Sequence, residues 1–325
     1  MILFNEIIST ENLLAAWEEF VRGKRTKTDI QLFERNLMDN ILQLNAELAN
    51  RTYLHGPYQK FRICDPKLRD IHKALVRDRL LHHAIHRVLY PIFDQKFIHD
   101  SFSCRVGKGV HAAGLQFRRF AYKTSQNHTR TCWVLKCDIR KFFASIRHNI
   151  LINILQRSCD RDIVWLLKQI IESFATEPGH GLPLGNLTSQ LLANIYLNEF
   201  DQFVKQYLKT KFYLRYADDF VILSRNRDNL LELLPKIEDF LCNQLKLELH
   251  LGKVSIETIA SGVDFLGWKY FPTHKVVRTA TKRRMFRRIN KYPRHQTVDS
   301  YIGLLSHGNA HGLQIAVKNL QLLYG

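Results

Sequence analysis

The chain has 325 residues and carries 48 Lys and Arg against 30 Asp and Glu, a formal charge of +18. That excess points to a polyanionic partner, of which nucleic acid is the common one, and the length allows one to three domains around a sizeable core. No run of about eighteen apolar residues occurs, which excludes a membrane-spanning helix, and the opening MILFNEIISTENLL lacks the basic start and long apolar core of a signal peptide.

Six cysteines, Cys64, Cys104, Cys132, Cys137, Cys159 and Cys242, are scattered with no CxxC pair. They read as reduced thiols of a cytoplasmic protein rather than zinc ligands. Fifteen histidines are present, none in an HExxH or HxH arrangement, and the adjacent His82 and His83 point to different helix faces. Histidine therefore reads as structural or solvated here.

Residues 11–50 predict two amphipathic helices, the first with Leu14, Trp17 and Val21 on one face, the second with Leu32, Phe33, Leu37, Ile41, Leu44 and Leu48. A further helix is expected over 74–93, ending around Pro91. Strands follow at CWVLKC (132–137), FYLRY (212–216) and FVILS (220–224). A long helix is expected over 187–208, with Thr188 or Ser189 as its N-cap. From Phe271 onward there are ten Lys or Arg against one acid, Asp299. Within this stretch TKRRMFRRINKY (281–292) predicts a basic helix whose few apolar contacts are Met285, Phe286 and Ile289. Its charge is of a single sign, which favours a polyanion-binding surface over an ordinary solvated face.

The chemistry concentrates in FYLRYADDFVILS, where two apolar strands flank a four-residue turn carrying Asp218 and Asp219. Paired carboxylates at a rigid hairpin tip repel unless a cation neutralises them. Magnesium accepts carboxylate oxygens together with phosphate oxygens. Aspartate is also a common turn former, so the pair alone is weak. Asp138, at the end of the apolar strand in WVLKCDIRKFFASI, is a third acid and a poor core residue. If the two strands are neighbours, the three acids form one cluster suited to two-metal phosphoryl transfer.

In order and spacing, D-x-x-x-F-F after an apolar strand, a Gly-centred loop opening a helix, and Y-A-D-D between strands resemble motifs A, B and C of the reverse transcriptases. FLGW at 265–268 is similar to their primer grip, and residues 76–113 resemble the fingers region of group II intron and other bacterial reverse transcriptases. The resemblance covers essentially the whole chain and its motifs are jointly specific. Where most such enzymes carry QGxxxSP, this chain reads LGNLTSQ at 184–190, which resembles the enzymes of diversity-generating retroelements. Those copy a template-repeat RNA with errors at adenines. The segments DFLGWKYFPTHKVVR and SYIGLLSHGNA are similar to the same group, and the expectation is a protein without the maturase, DNA-binding or endonuclease extension of a full group II intron protein. A retron or antiphage-defence reverse transcriptase is the alternative within the class, and a catalytically dead RNA-binding scaffold the alternative outside it. The LGNLTSQ loop speaks against the first and the three acids against the second.

The resemblance implies an α+β right hand: fingers at 1–130 and 149–182, a palm with an antiparallel sheet backed by helices at 131–148 and 183–270, and a short helical thumb at 271–325. It makes Asp138 and Asp218 the main ligands of two Mg2+ ions and Asp219 the third carboxylate, with Ile139 offering a backbone carbonyl. Lys67 and Arg69 would clasp the dNTP triphosphate, and Phe143 would lie under the sugar and exclude a 2′-OH. Leu184 and Gly185, with Asn186, would face the incoming nucleotide, and Lys253 would protonate pyrophosphate. Arg79 is structural or template-facing. Tyr216, Leu266, Gly267 and Trp268 would meet the primer, and Arg283, Arg284, Arg287 and Arg288 would track the RNA–DNA duplex. The partners implied are template RNA, primer, dNTPs and a small basic accessory protein.

Overall fold

The computed structural model describes residues 2–64, 68–292 and 294–324. The chain opens with α1 (Ile2–Ile8), α2 (Thr10–Phe20), α3 (Thr28–Glu34) and α4 (Leu37–Ala49), then a hairpin of β1 (Gln59–Cys64) and β2 (Leu68–Lys73). Next come α5 (Val76–Asp94), α6 (Val110–Thr124), β3 (Trp133–Asp138), α7 (Phe142–Ser145), α8 (His148–Gln156), α9 (Arg161–Glu172) and α10 (Leu187–Gln202). The second half holds β4 (Tyr213–Tyr216), β5 (Asp219–Ser224), α11 (Arg227–Leu245), β6 (Ser255–Thr258), β7 (Val263–Phe265), β8 (Trp268–Tyr270) and β9 (Lys275–Val277). It closes with α12 (Thr279–Lys291), α13 (His295–Leu305) and α14 (His311–Tyr324). No described helix is long and apolar enough to cross a membrane.

Four local expectations change. Residues 11–50 form three helices, not two: Asn36 leaves the helical region (φ −118°, ψ 40°) and separates α3 from α4, a break that apolar spacing does not register. Pro91 does not end α5, which runs on to Asp94 while Phe93, beyond the proline, is buried. The helix expected over 187–208 is α10, followed by a π-helical turn at Phe203–Tyr207. Its N-cap is Asn186 rather than Thr188 or Ser189. The Thr188 hydroxyl instead lies 3.2 Å from His82 Nδ1.

The chain divides into two compact units. The first comprises Met1–His99, Ile139–Tyr207 and Ile237–Leu249. Its core gathers Leu13, Trp17, Phe20, Ile41, Leu44 and Leu48 with Leu81 and Ile85 of α5. The Asn12 amide ties α2 to α5 by donating to the Ala84 carbonyl (3.1 Å).

The second unit comprises Asp100–Asp138, Leu208–Lys236 and His250–Gly325. It is built on an antiparallel four-stranded sheet in the order β4-β5-β3-β6. The expected antiparallel sheet is thus present. Phe117, Phe120 and Ala121 of α6 pack on Val134, Leu214, Val221 and Leu223 of this sheet. The same apolar cluster continues through Phe265, Trp268 and Tyr270 of the three-stranded β7-β8-β9 sheet to Met285, Ile289, Val298, Leu305 and Val317 of the terminal helices. One continuous core therefore sets the four-stranded sheet and the basic α12 in a common frame.

Candidate active site

The β4–β5 hairpin pairs Tyr216 with Asp219, leaving Ala217 and Asp218 as its two-residue link. Ala217 takes a positive φ of 53°, which costs an L-residue about 1 kcal/mol. Arg215 holds the turn. Its side chain is buried (1% exposed), and Nη1 donates to the Ala217 carbonyl at 3.1 Å. The Arg215 main chain is locked in turn by residues 100–102: its N–H donates to Asp100 O and its carbonyl accepts from Phe102 N, both at 3.0 Å. Nothing in the strand pattern LRY marked this arginine as a buried support, because alternation reports a face and not what covers it.

Asp138 ends β3 directly opposite Asp219, the first residue of β5. Asp138 is 7% exposed. Burial pushes the Asp219 carboxyl up to about 7, and the neighbouring Asp218 and Asp138 charges push it the same way. The two strands are neighbours, as the clustering of the acids requires. On the other side of Asp138, Lys253 Nζ lies 2.7 Å from Oδ2. The short 3-10 turn carrying Lys253 is tied to the strand end, since His250 N donates to Asp138 O at 2.8 Å. Ile139 is buried and packs, as expected of a residue offering only its backbone.

Among the described residues no three His, Cys, Asp or Glu side chains converge as a self-sufficient metal cage. Two opposed carboxylates with a third on the adjoining turn are nevertheless the right donors for a hard divalent cation. Such an ion completes its shell with water and substrate phosphate oxygens rather than protein groups alone. The Asp219 carboxyl, raised first by burial and then by the charges of Asp218 and Asp138, is a group that a cation would help to ionise.

The remaining expected residues fall in both units. In the second, Tyr216 is half-buried at the end of β4. Leu266 and Gly267 have positive φ values of 51° and 84° and close the β7–β8 hairpin as a two-residue turn, the geometry that favours glycine at its second position. Trp268 is 2% exposed, inside the apolar cluster, with Lys275 Nζ 4.4 Å from its ring centre. Along α12, Met285 and Ile289 are buried while Arg283, Arg287 and Arg288 are exposed and Arg284 half-exposed.

In the first unit, Phe143 is half-buried beside Phe142, and its carbonyl accepts from Leu182 N at 2.8 Å. The Leu184 carbonyl accepts from His72 N at 3.0 Å, anchoring the loop to β2. Gly185 has φ 111°, and a Cβ there would come within 2.9 Å of Ile71 Cγ2. Arg69 is exposed opposite Ile63 on the β1–β2 hairpin. Lys67 lies outside the described residues. Arg79 is anchored within the first unit: Nη2 donates to Asp29 Oδ2 at 2.6 Å and the guanidinium covers the Phe20 ring. Its neighbour Asp78 is a fully buried hub, accepting from the Tyr53 hydroxyl at 2.9 Å and from Gly56 N at 3.1 Å.

Residues 65–270, more than half of the chain, match the reverse transcriptase (RNA-dependent DNA polymerase) family. Protein YkfC of Escherichia coli is 25% identical over 308 residues, covering 81% of this chain and 79% of that one. The group II intron-encoded protein LtrA of Lactococcus lactis is 23% identical over 303 residues, covering 71% of this chain and 49% of that one. Telomerase from Candida albicans superposes with a TM-score of 0.51 at 11% identity, over 70% of this chain and 46% of that one. The chain thus spans about half the length of the last two, and the telomerase likeness concerns the fold alone. The antiparallel sheet with its acid-bearing hairpin is the palm of a right-hand polymerase, and the chain belongs to the reverse transcriptase family, the RNA-directed DNA polymerases.

Proposed function

We propose that this protein copies an RNA template into cDNA for a diversity-generating retroelement, with errors concentrated at template adenines. The observation that carries the catalytic part is the face-to-face placement of Asp138 and Asp219 with Asp218 on the adjoining turn. Asp138 and Asp218, with Asp219, would hold two Mg2+ ions. When bound, these activate the primer 3′-OH and stabilise the charge on the leaving pyrophosphate. The rigid hairpin, braced by Arg215, fixes the carboxylates before substrate arrives, so little reorganisation is needed at the moment of reaction. Lys253, already at the edge of this cluster, supplies positive charge and a proton for the leaving group. Phe143 excludes a 2′-OH, Arg69 and Lys67 clasp the triphosphate, and the Leu184–Gly185 loop lets backbone approach the nucleotide.

The fingers, palm and thumb divide at 1–130 with 149–182, 131–148 with 183–270, and 271–325, and the α12 arginines track the duplex. The LGNLTSQ loop supports the retroelement reading, and a small basic accessory protein in the cytoplasm completes the system. Asp218→Asn is expected to abolish primer extension on an RNA template while leaving RNA binding nearly intact, because it removes a metal ligand and no basic surface. Extension by the purified variant at more than a few per cent of wild type would overturn the metal assignment. A template repeat, a variable repeat and a small accessory gene beside this gene would support the retroelement reading, and their absence would favour a retron or defence enzyme.

A further inference from the structure

A file of polar side chains inside the first unit ends on the first turn of α10. Ser173 Oγ donates to Ile170 O at 2.6 Å and lies 2.9 Å from the Tyr58 hydroxyl. Tyr58 stacks on His55, whose side chain is 1% exposed. His55 Nε2 lies 3.2 Å from His82 Nε2, and His82 Nδ1 lies 3.2 Å from Thr188 Oγ1. His82 and Thr188 are each 1% exposed.

The partners leave one consistent placement of protons. His55 Nδ1 faces the Gly56 carbonyl at 2.6 Å, an atom that only accepts, so Nδ1 carries the hydrogen. Burial lowers the affinity of both rings for a second proton, most of all for His82. A neutral His55 therefore presents a bare Nε2. Ser173 has given its one hydrogen to Ile170, so the Tyr58 hydroxyl donates to Ser173. The Tyr58 hydroxyl also lies 3.2 Å from His55 Nε2, but its hydrogen is directed to Ser173, and with His55 Nε2 bare the 3.2 Å contact between the two rings requires the hydrogen on His82 Nε2. His82 Nδ1 is then bare, and the Thr188 hydroxyl donates to it. Every heteroatom in the file has a partner, and such a fully satisfied buried network specifies a single geometry where an apolar contact would tolerate several.

That geometry bears on the loop just before Thr188. Asn186 is 3% exposed and its Nδ2 has no partner among the described residues. It lines a pocket of about 370 Å3 together with Gly185, His82, Lys24, Lys73 and Arg79. Lys73 and Arg79 share Asp29 as their partner, so with Lys24 the lining keeps a net positive charge; an unspent buried amide in that setting suits a nucleotide, whose base presents donors and acceptors and whose phosphate is anionic. We propose that His82 and Thr188 are positioning residues, the neutral His55–His82 pair holding the Thr188 hydroxyl and thereby setting the Gly185–Asn186 turn for nucleotide binding. The proposal rests on the reading of 184–186 as a nucleotide-facing loop.

Two measurements test it. In the full-length protein, imidazole 15N shifts at pH 7 should report neutral rings, with hydrogen on Nδ1 of His55 and on Nε2 of His82. Thr188→Val should then move the His82 Nδ1 resonance. In primer extension, Thr188→Val should raise the dNTP KM about fivefold, the effect of removing one hydrogen bond, with kcat within about twofold. Thr188→Ser, which keeps the donor, should restore the KM. A charged His82, hydrogen on its Nδ1, or a wild-type KM in Thr188→Val would each overturn the proposal. A wild-type chain that extends no primer would instead overturn the polymerase reading, and the imidazole shifts would still decide the proton placement.

Discussion

Lys253 Nζ lies 2.7 Å from Asp138 Oδ2, so an ammonium from the turn before β6 neutralises a carboxylate at the end of β3. The two groups come together because β6 pairs with β3 and the backbone of His250 is bonded to that of Asp138. On the proposed mechanism Lys253 would compete with a metal ion for the same carboxylate and would supply a proton to the leaving pyrophosphate. Lys253→Met should lower the Mg2+ concentration for half-maximal extension a few-fold and reduce kcat by about tenfold or more, within the range of a missing general acid. Lys253→Arg should keep the ion pair and the wild-type Mg2+ dependence. Metal titrations of the extension rate at saturating dNTP check both.

Asp219 supplies a pH dependence. Its carboxyl is raised from 3.8 to about 7 in the folded chain. The folded state therefore holds that proton more tightly than the unfolded state does. In metal-free protein, this group's contribution to stability is present at low pH and is lost as pH rises from about 4 through about 7. A divalent cation must displace the same proton. Mg2+ or Mn2+ should stabilise the protein strongly at pH 8 and weakly at pH 6, affinity falling by up to about tenfold per pH unit below 7 for one competing proton. Thermal shifts with and without metal read this, and Asp219→Asn should flatten the pH dependence.

Arg283, Arg284, Arg287 and Arg288 lie on α12, which the buried Met285 and Ile289 fasten to the core. Replacing the four with Gln leaves both anchors in place, so the fold should persist. Template–primer binding should weaken, and the slope of log K against log salt should fall by about one unit for each phosphate that is no longer neutralised. Salt titrations of binding for both proteins test this, and an unchanged slope would put the nucleic acid elsewhere.

Leu184 holds its loop to β2 through a backbone bond to His72, and its half-buried side chain offers no hydrogen bond. The glutamine usual at this position has a donor and an acceptor. A polar contact formed only by a well-seated base pair contributes about 1 kcal/mol, close to a tenfold effect on selection. Leu184→Gln should lower misincorporation opposite template adenine several-fold without stopping synthesis. Sequencing cDNA made from one RNA by both enzymes checks this, and an unchanged adenine error rate in an active variant would overturn this role for Leu184.

The sequence by itself determined the chemistry of the palm. Alternating and continuous apolar runs placed three strands, and acids at the end of one strand and in the turn between the other two are too costly to be ordinary core residues, so their clustering was legible. The basic α12 was legible for the same reason, since a charge run of one sign has no local compensation. Only the tertiary structure decided what depends on which surfaces meet. It buried Arg215 beneath the Ala217 carbonyl, put Trp268 in the core, set Lys253 against Asp138, and turned Arg79 toward Asp29. It also joined His55, His82 and Thr188 into one file, although each histidine alone reads as an ordinary structural residue. Periodicity records the face on which a residue lies. The partner of a buried polar group is set by chain segments far away in sequence, and hydrogen-bond geometry then selects one arrangement among many that satisfy the same apolar pattern.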